Sequence, residues 1–330
     1  MEDAEVLFER RGSLGHIVLN RPRAINALTH GMIVAIAARL EEWAVDDAVH
    51  TVALTGAGER GLCAGGDIVA MYRDATAGDG SASETFWRDE YALDARIARY
   101  PKPFVAIMDG VTLGGGVGLS AHASHRVVTE RSKVGMPETT IGYIPDVGGT
   151  WLLAHAPGEL GTYLALSATI VGPGDAIALG LADYFVQSSR LPELLADIDS
   201  LQRLAQGPPA PVLVPERVWI DEAFAGDDLA AILARLEGRE IGDVIAAKSP
   251  TALAVTLESL RRARNLPSLE ATLAQEFRVS LRSLASPDFA EGVRAQVIDK
   301  DRTPRWSPPR VEDVTNVESF FAPLERELWA

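Results

Sequence analysis

Apolar positions fall in short alternating runs through the first half of the chain. Residues 6–9 and 16–19 read as two strands of a hairpin turning around Gly12 and Gly15. Residues 32–43 place Ile33, Ile36, Ala37 and Leu40 at helical spacing. A β-branched run at 51–55 stops at Gly56 and Gly58. A helix is expected over 85–100, and Pro101 and Pro103 separate it from a strand at 104–108. A small-residue helix near 117–123 and a strand at 126–129 follow. Strand pairs repeatedly followed by a helix predict an α/β core of stacked β-β-α turns.

The pattern changes after about residue 190. Gly207-Pro208-Pro209-Ala210-Pro211 reads as a stiff linker, and the periodicity beyond it is almost wholly helical. Ser249-Pro250 and Ser286-Pro287 each look like an N-cap followed by proline at the first helical position. Leu253, Leu257 and Leu260 then recur at core spacing, and residues 303–309 should be irregular. The expected organisation is a core over 1–200 and a helical region over 201–330, packing on that core or on a neighbouring subunit.

Composition narrows the function classes. A net charge of −15 argues against a nucleic-acid or anionic-membrane surface, both of which favour concentrated Lys and Arg. A single cysteine, Cys63, excludes an intramolecular disulfide framework and reads as a small buried side chain. The opening residues 1–5 lack the features of a signal peptide, and glycines with Asp109 interrupt the apolar run 103–121. A cytoplasmic protein is expected. No acid or second-histidine spacing around His122 and His125 supports a metal site.

The chemistry concentrates in residues 136–149, Met-Pro-Glu-Thr-Thr-Ile-Gly-Tyr-Ile-Pro-Asp-Val-Gly-Gly. Glu138 and Asp146 lie in an otherwise apolar, Gly- and Pro-rich stretch, where an unpartnered charge is costly. Upstream are two glycine clusters, Cys63-Ala64-Gly65-Gly66-Asp67 and Gly114-Gly115-Gly116-Val117-Gly118. Gly116-x-Gly118-x-x-Ala121 satisfies only a loose dinucleotide fingerprint, because Val111-Thr112-Leu113 intrudes before the glycines. Glycines at a helix start offer backbone N–H groups instead, and two such corners facing one another make an oxyanion hole.

Together these segments resemble the crotonase (enoyl-CoA hydratase/isomerase) superfamily. The matching pieces are Leu19-Asn20-Arg21-Pro22 with Asn26-Ala27-Leu28, Cys63 through Ile68, Gly114 through Gly118, and Pro137-Glu138 through Gly149. Gly118, Asp146 and the run Phe289-Ala290-Glu291-Gly292-Val293-Arg294-Ala295 are most similar to the family's thioester hydrolases for short branched β-hydroxyacyl-CoA, of the kind used in valine catabolism. The resemblance implies a crotonase-like ββα spiral core with an α-helical C-terminal region. It implies that the Gly66 and Gly115 amides hold the thioester oxygen. Glu138 would be the catalytic carboxylate, Asp146 its partner and Glu90 a polar group of the pocket. The backbone at Arg23, Ala24, Ile25, Gly65, Asp67 and Ile68 would contact CoA. No metal is implied, no cofactor beyond the CoA of the substrate, and a homo-oligomer is the expected assembly. Hydratases of the family carry a second glutamate where this chain has Gly118, and glycine can neither activate water nor relay a proton. A hydratase or isomerase on another short acyl-CoA is the nearest alternative. An RNA-binding family member is a distant one, against which the charge counts.

Overall fold

The computed structural model describes residues 4–329; residues 1–3 of the acidic opening lie outside them. The chain divides into two units. One takes the residues up to Gly66, Asp89–Gly135 and Val171–Val214; the other takes Asp67–Arg88, Met136–Ile170 and the residues from Pro215 on.

The first unit holds every strand assigned among the described residues. These are β1 (Val6–Arg11), β2 (Leu14–Leu19), β3 (Thr51–Gly56), β4 (Gly61–Cys63), β5 (Phe104–Met108), β6 (Val111–Leu113), β7 (His125–Val128), β8 (Lys133–Gly135) and β9 (Tyr184–Phe185). The hairpin forms as the alternation predicts: β1 pairs antiparallel with β2, Val6 opposite Leu19, and Gly12 turns at φ +62°. From β2 outward the large sheet is parallel, in the order β1-β2-β3-β5-β7-β9. A small parallel sheet has the order β4-β6-β8. After the hairpin, each strand pair (β3/β4, β5/β6, β7/β8) sends its first member into the large sheet and its second into the small one, which realises the stacked β-β-α turns. Val52, Leu54, Val105, Ile107, Val127 and Val128 are all buried, as expected where helices and loops cover both faces of a parallel sheet.

Several helices are longer than their periodicity suggests, for a local reason. The helix His30–Val45 begins two residues before 32 because Thr29 Oγ1 accepts the Met32 N–H at 3.3 Å. The helix Ser81–Ala98 starts four residues before 85: Asp79 Oδ1 accepts from Ser81 N and Asp74 Oδ2 from Ser83 N, satisfying first-turn donors. The small-residue helix is Gly115–Ala121, so the glycines form its first turn rather than precede it.

The second unit is mainly helical. Ser249 and Ser286 cap Pro250–Ala263 and Pro287–Val293, accepting from Ala252 N and Asp288 N. Each such cap is worth about 1 kcal/mol. Ser268 caps the helix Leu269–Leu284 in the same way. The helices Pro250–Ala263 and Leu269–Leu284 both pack against Gly149–Ala154, so the C-terminal helices meet a segment of the first half of their own chain. The end of the described chain is fastened by Arg88, whose guanidinium lies 4.6 Å over the Phe277 ring and donates to the Glu327 and Leu328 carbonyls.

Candidate active site

Two groups of sequence-predicted residues come together, one in each unit. In the first unit the turn Pro22–Ala24 leads into Ile25 and Asn26, both with positive φ. Buried Asn26 sustains that backbone. Its Oδ1 accepts from Arg21 N, and its Nδ2 lies 3.1 Å from the carbonyls of Ala57, Gly61 and Leu62. Ala64 N donates to Ile25 O at 2.9 Å and Leu28 N to Gly65 O at 2.8 Å, which ties the 23–25 turn to the 64–66 loop. Arg23 and Ala24 are exposed there; Asp67 and Ile68 belong to the second unit, where Ile68 opens a helix that Asp67 caps through Ala70 N.

The two glycine clusters meet. A Cβ built on Gly115 would stand 3.4 Å from Gly66 N and 2.5 Å from Glu90 Oε1; one on Gly116 would strike the Cys63 carbonyl at 2.7 Å. Gly65 (φ +103°) and Gly114 (φ +50°) make turns that an L side chain resists. The carbonyl of Gly114 takes the Val117 and Gly118 N–H groups as its helix begins. Glu90 is 2 % exposed, so it is a buried carboxylate against these glycines and not a solvated surface charge. Cys63 is also buried, and burial pushes its thiol up to about 12, leaving it protonated and inert.

In the second unit Glu138 opens a one-turn 3-10 helix, Glu138–Ile141, and is 8 % exposed. Its Oε2 is buried without a hydrogen-bond partner. Burial, and after it the charge of Asp146, holds the Glu138 carboxyl well above the ordinary range. Asp146 is 5 % exposed, and its Oδ2 accepts from the Tyr143 hydroxyl at 3.1 Å. Tyr143 is locked by stacking on Trp87, centroids 5.7 Å apart, and by the edge of Phe289. After Asp146 the chain enters the left-handed region twice, at Val147 (φ +53°) and Gly148 (φ +77°). Such a conformation costs a β-branched residue about 1–3 kcal/mol. Gly149 begins the helix Gly149–Ala154, and Trp151, within it, is half-buried.

Sequence reasoning missed three members of this cluster: Tyr143, Ser280 and Glu276. Glu276 is fully buried and accepts from Gly148 N, Thr150 N and Thr150 Oγ1. Burial, only partly offset by those bonds, pushes its carboxyl up to about 8. One signal for Glu276 was present: it occupies the centre of the stripe formed by Leu269, Leu273, Ser280 and Ser283 on its helix. Among the described residues no group of three or more His, Cys, Asp or Glu is placed to hold a metal ion, and no helix is long and apolar enough to cross a membrane.

Alternating strand pairs that feed a large and a small sheet, followed by a mainly helical C-terminal region, make a crotonase-like fold. The model of the enoyl-CoA hydratase/isomerase family matches residues 14–321, and the chain belongs to that family. It is 37% identical to the 3-hydroxyisobutyryl-CoA hydrolase, mitochondrial, of Xenopus tropicalis, over 98% of this chain and 90% of the relative. With the Rattus norvegicus protein of the same name the identity is 38%, over 98% and 90%. Among solved structures it is similar to a carnitinyl-CoA dehydratase from Mycobacterium thermoresistibile, with 50% identity, TM-score 0.95, and 99% and 98% of the two chains covered. An enoyl-CoA hydratase from Rhodobacter sphaeroides 2.4.1 is 43% identical, with TM-score 0.92, over 97% and 98%.

Proposed function

We propose that this protein hydrolyses a short branched β-hydroxyacyl-CoA thioester, with 3-hydroxyisobutyryl-CoA the leading substrate and 3-hydroxyisobutyrate and CoA the products. The observation that carries the proposal is the buried carboxylate pair Glu138 and Asp146, in a chain with Gly118 where family hydratases hold a second glutamate. The relatives named as hydrolases, aligned over nearly the whole chain, support it.

In this mechanism the Gly66 and Gly115 amides polarise the thioester carbonyl, and the backbone at 23–25 and 65–68 receives the CoA portion. Glu138 supplies the carboxylate, in keeping with its buried oxygen that no protein group satisfies. It either attacks the carbonyl carbon, expelling CoA and leaving a mixed anhydride that water cleaves, or takes a proton from the water that attacks. Asp146 orients the substrate hydroxyl or delivers the proton to the departing thiolate, and Glu90 lines the pocket. The chemistry needs no resident cofactor. A homo-oligomer and a cytoplasmic location complete the proposal, although the vertebrate relatives carry "mitochondrial" in their names.

A second reading, water addition or removal at an acyl-CoA double bond, is favoured by the names of the two solved structures cited above. Free-thiol release across a panel of acyl-CoAs with and without a β-hydroxyl separates the two. Thiol release from 3-hydroxyisobutyryl-CoA is expected. Interconversion of an enoyl-CoA and its hydroxy form without thiol release overturns the hydrolytic reading. After a single turnover in H2¹⁸O, label in the Glu138 side chain marks direct attack, because the general-base route places it in the acid product alone.

A further inference from the structure

Asp146 sits on a bend that the chain does not adopt unaided, since Val147 and Gly148 follow it in left-handed conformations. Glu276 holds that bend from the helix Leu269–Leu284. Its Oε2 accepts Gly148 N at 2.7 Å; its Oε1 accepts Thr150 N at 2.9 Å and Thr150 Oγ1 at 2.5 Å. All three donors belong to the four residues after Asp146. One helical turn further on, Ser280 Oγ lies 2.5 Å from the Tyr143 hydroxyl, the same hydroxyl that reaches Asp146 Oδ2. A single helix face therefore grips the backbone after Asp146 and, through Tyr143, its carboxylate. Holding a turn does not require a carboxylate with no exposed surface, and burying one is costly.

The geometry points to Glu276 as a positioning residue for Asp146: it clamps the strained 146–150 bend so that the Asp146 carboxyl keeps its place near Glu138. The assignment rests on the hydrolytic reading above, in which Asp146 assists the chemistry of Glu138. Glu276 also pushes Glu138 toward its protonated form, behind burial and Asp146 in weight, so the clamp and the reacting carboxylate are linked electrostatically.

The test is a double-mutant cycle on the full chain, with Glu276→Gln, Asp146→Asn and both together, assayed by thiol release from 3-hydroxyisobutyryl-CoA across pH. Glu276→Gln is expected to lower kcat about tenfold to a hundredfold, because an amide accepts at only one of its two terminal atoms where Glu276 accepts at both, while KM changes less than about threefold. In the Asp146→Asn background the same change should cost nothing further. The acid limb of the kcat–pH profile should move to lower pH, a shift that a purely structural role does not produce. Losses that multiply across the cycle, or an unmoved limb, overturn the assignment. If Glu276→Gln fails to fold, Thr150→Val removes one of the three bonds at constant shape, and unchanged kcat and pH profile in that variant are equally fatal. A crystal structure of either variant gives a readout independent of activity. Asp146 displaced from Tyr143 supports the clamp, and an unmoved bend refutes it, even if the wild-type protein releases no thiol and the hydrolytic reading falls on its own.

Discussion

The Tyr143 hydroxyl lies 3.1 Å from Asp146 Oδ2, in a ring held between Trp87 and Phe289. A rigid phenol beside a buried carboxyl fixes both the rotamer of the acid and the direction of one of its hydrogen bonds. Tyr143→Phe keeps the ring packing and removes the hydroxyl's bonds to Asp146 and Ser280. We expect kcat for thiol release to fall about tenfold, with the melting temperature lowered by no more than a few degrees, because one hydrogen bond to a charged group is lost. Unchanged kcat would show that Asp146 needs no such partner.

Glu138→Gln removes the carboxylate and keeps its shape. Turnover should drop by about 10²-fold to 10⁴-fold, the range for loss of a positioned base, while binding of the CoA ester is retained. Stability should hold or rise, because a neutral amide replaces a carboxyl that burial already disfavours as an anion. Isothermal titration with substrate, beside the thiol assay, checks both halves.

The stability of the fold should decline from mildly acidic to mildly alkaline pH. Glu276 is raised from an ordinary value of 4.5 to about 8 in the folded protein, so the folded state binds more protons than the unfolded chain between those limits. Its contribution is therefore fully present below about pH 4.5 and is lost as pH rises toward about 8, at no more than about 1.4 kcal/mol per pH unit. Glu138, raised for the same first reason, acts in the same direction. Melting curves from pH 5 to 8.5 should show the slope, and Glu276→Gln should flatten it. A slope unchanged in that variant would mean that other groups cause it.

Neighbouring glycines should respond differently to one methyl group. At Gly115 the nearest atom is Glu90 Oε1, the end of a side chain, followed by Leu28 Cδ1 and Gly66 N. Gly115→Ala should fold and lose about 10²-fold in turnover, as expected when an oxyanion donor is displaced. At Gly116 the methyl meets the Cys63 backbone carbonyl and Cβ. Gly116→Ala should lose about 1–3 kcal/mol of stability from overpacking. Urea denaturation and the thiol assay together separate these outcomes, and equal effects at the two positions would contradict the geometry.

Most of the fold was legible because its signals are local. The hairpin shows as alternation, the helix His30–Val45 as period 3.6, and the two Ser-Pro starts as caps that the structure reproduces. The strands β4, β6 and β8 were not legible. Each has three residues, too few to display a period, and they are defined by pairing with partners about 20 to 50 residues away. At the site, glycines and the Pro-flanked carboxylates announced themselves by being out of character with their surroundings. Asn26 and Tyr143 did not, because a polar residue in a loop carries no sign of the carbonyls or carboxylate it will reach. Glu276 resembled an ordinary charge on an amphipathic helix unless its place between Leu273 and Ser280 on the uncharged face was noticed.

The left-handed valine after Asp146 carries an implication for engineering. Searches for heat-tolerant variants tend to relax such a residue first, since a glycine or asparagine there is at ease. Either replacement favours the same bend that Glu276 clamps, so ruggedness at position 147 comes without moving the adjoining acid.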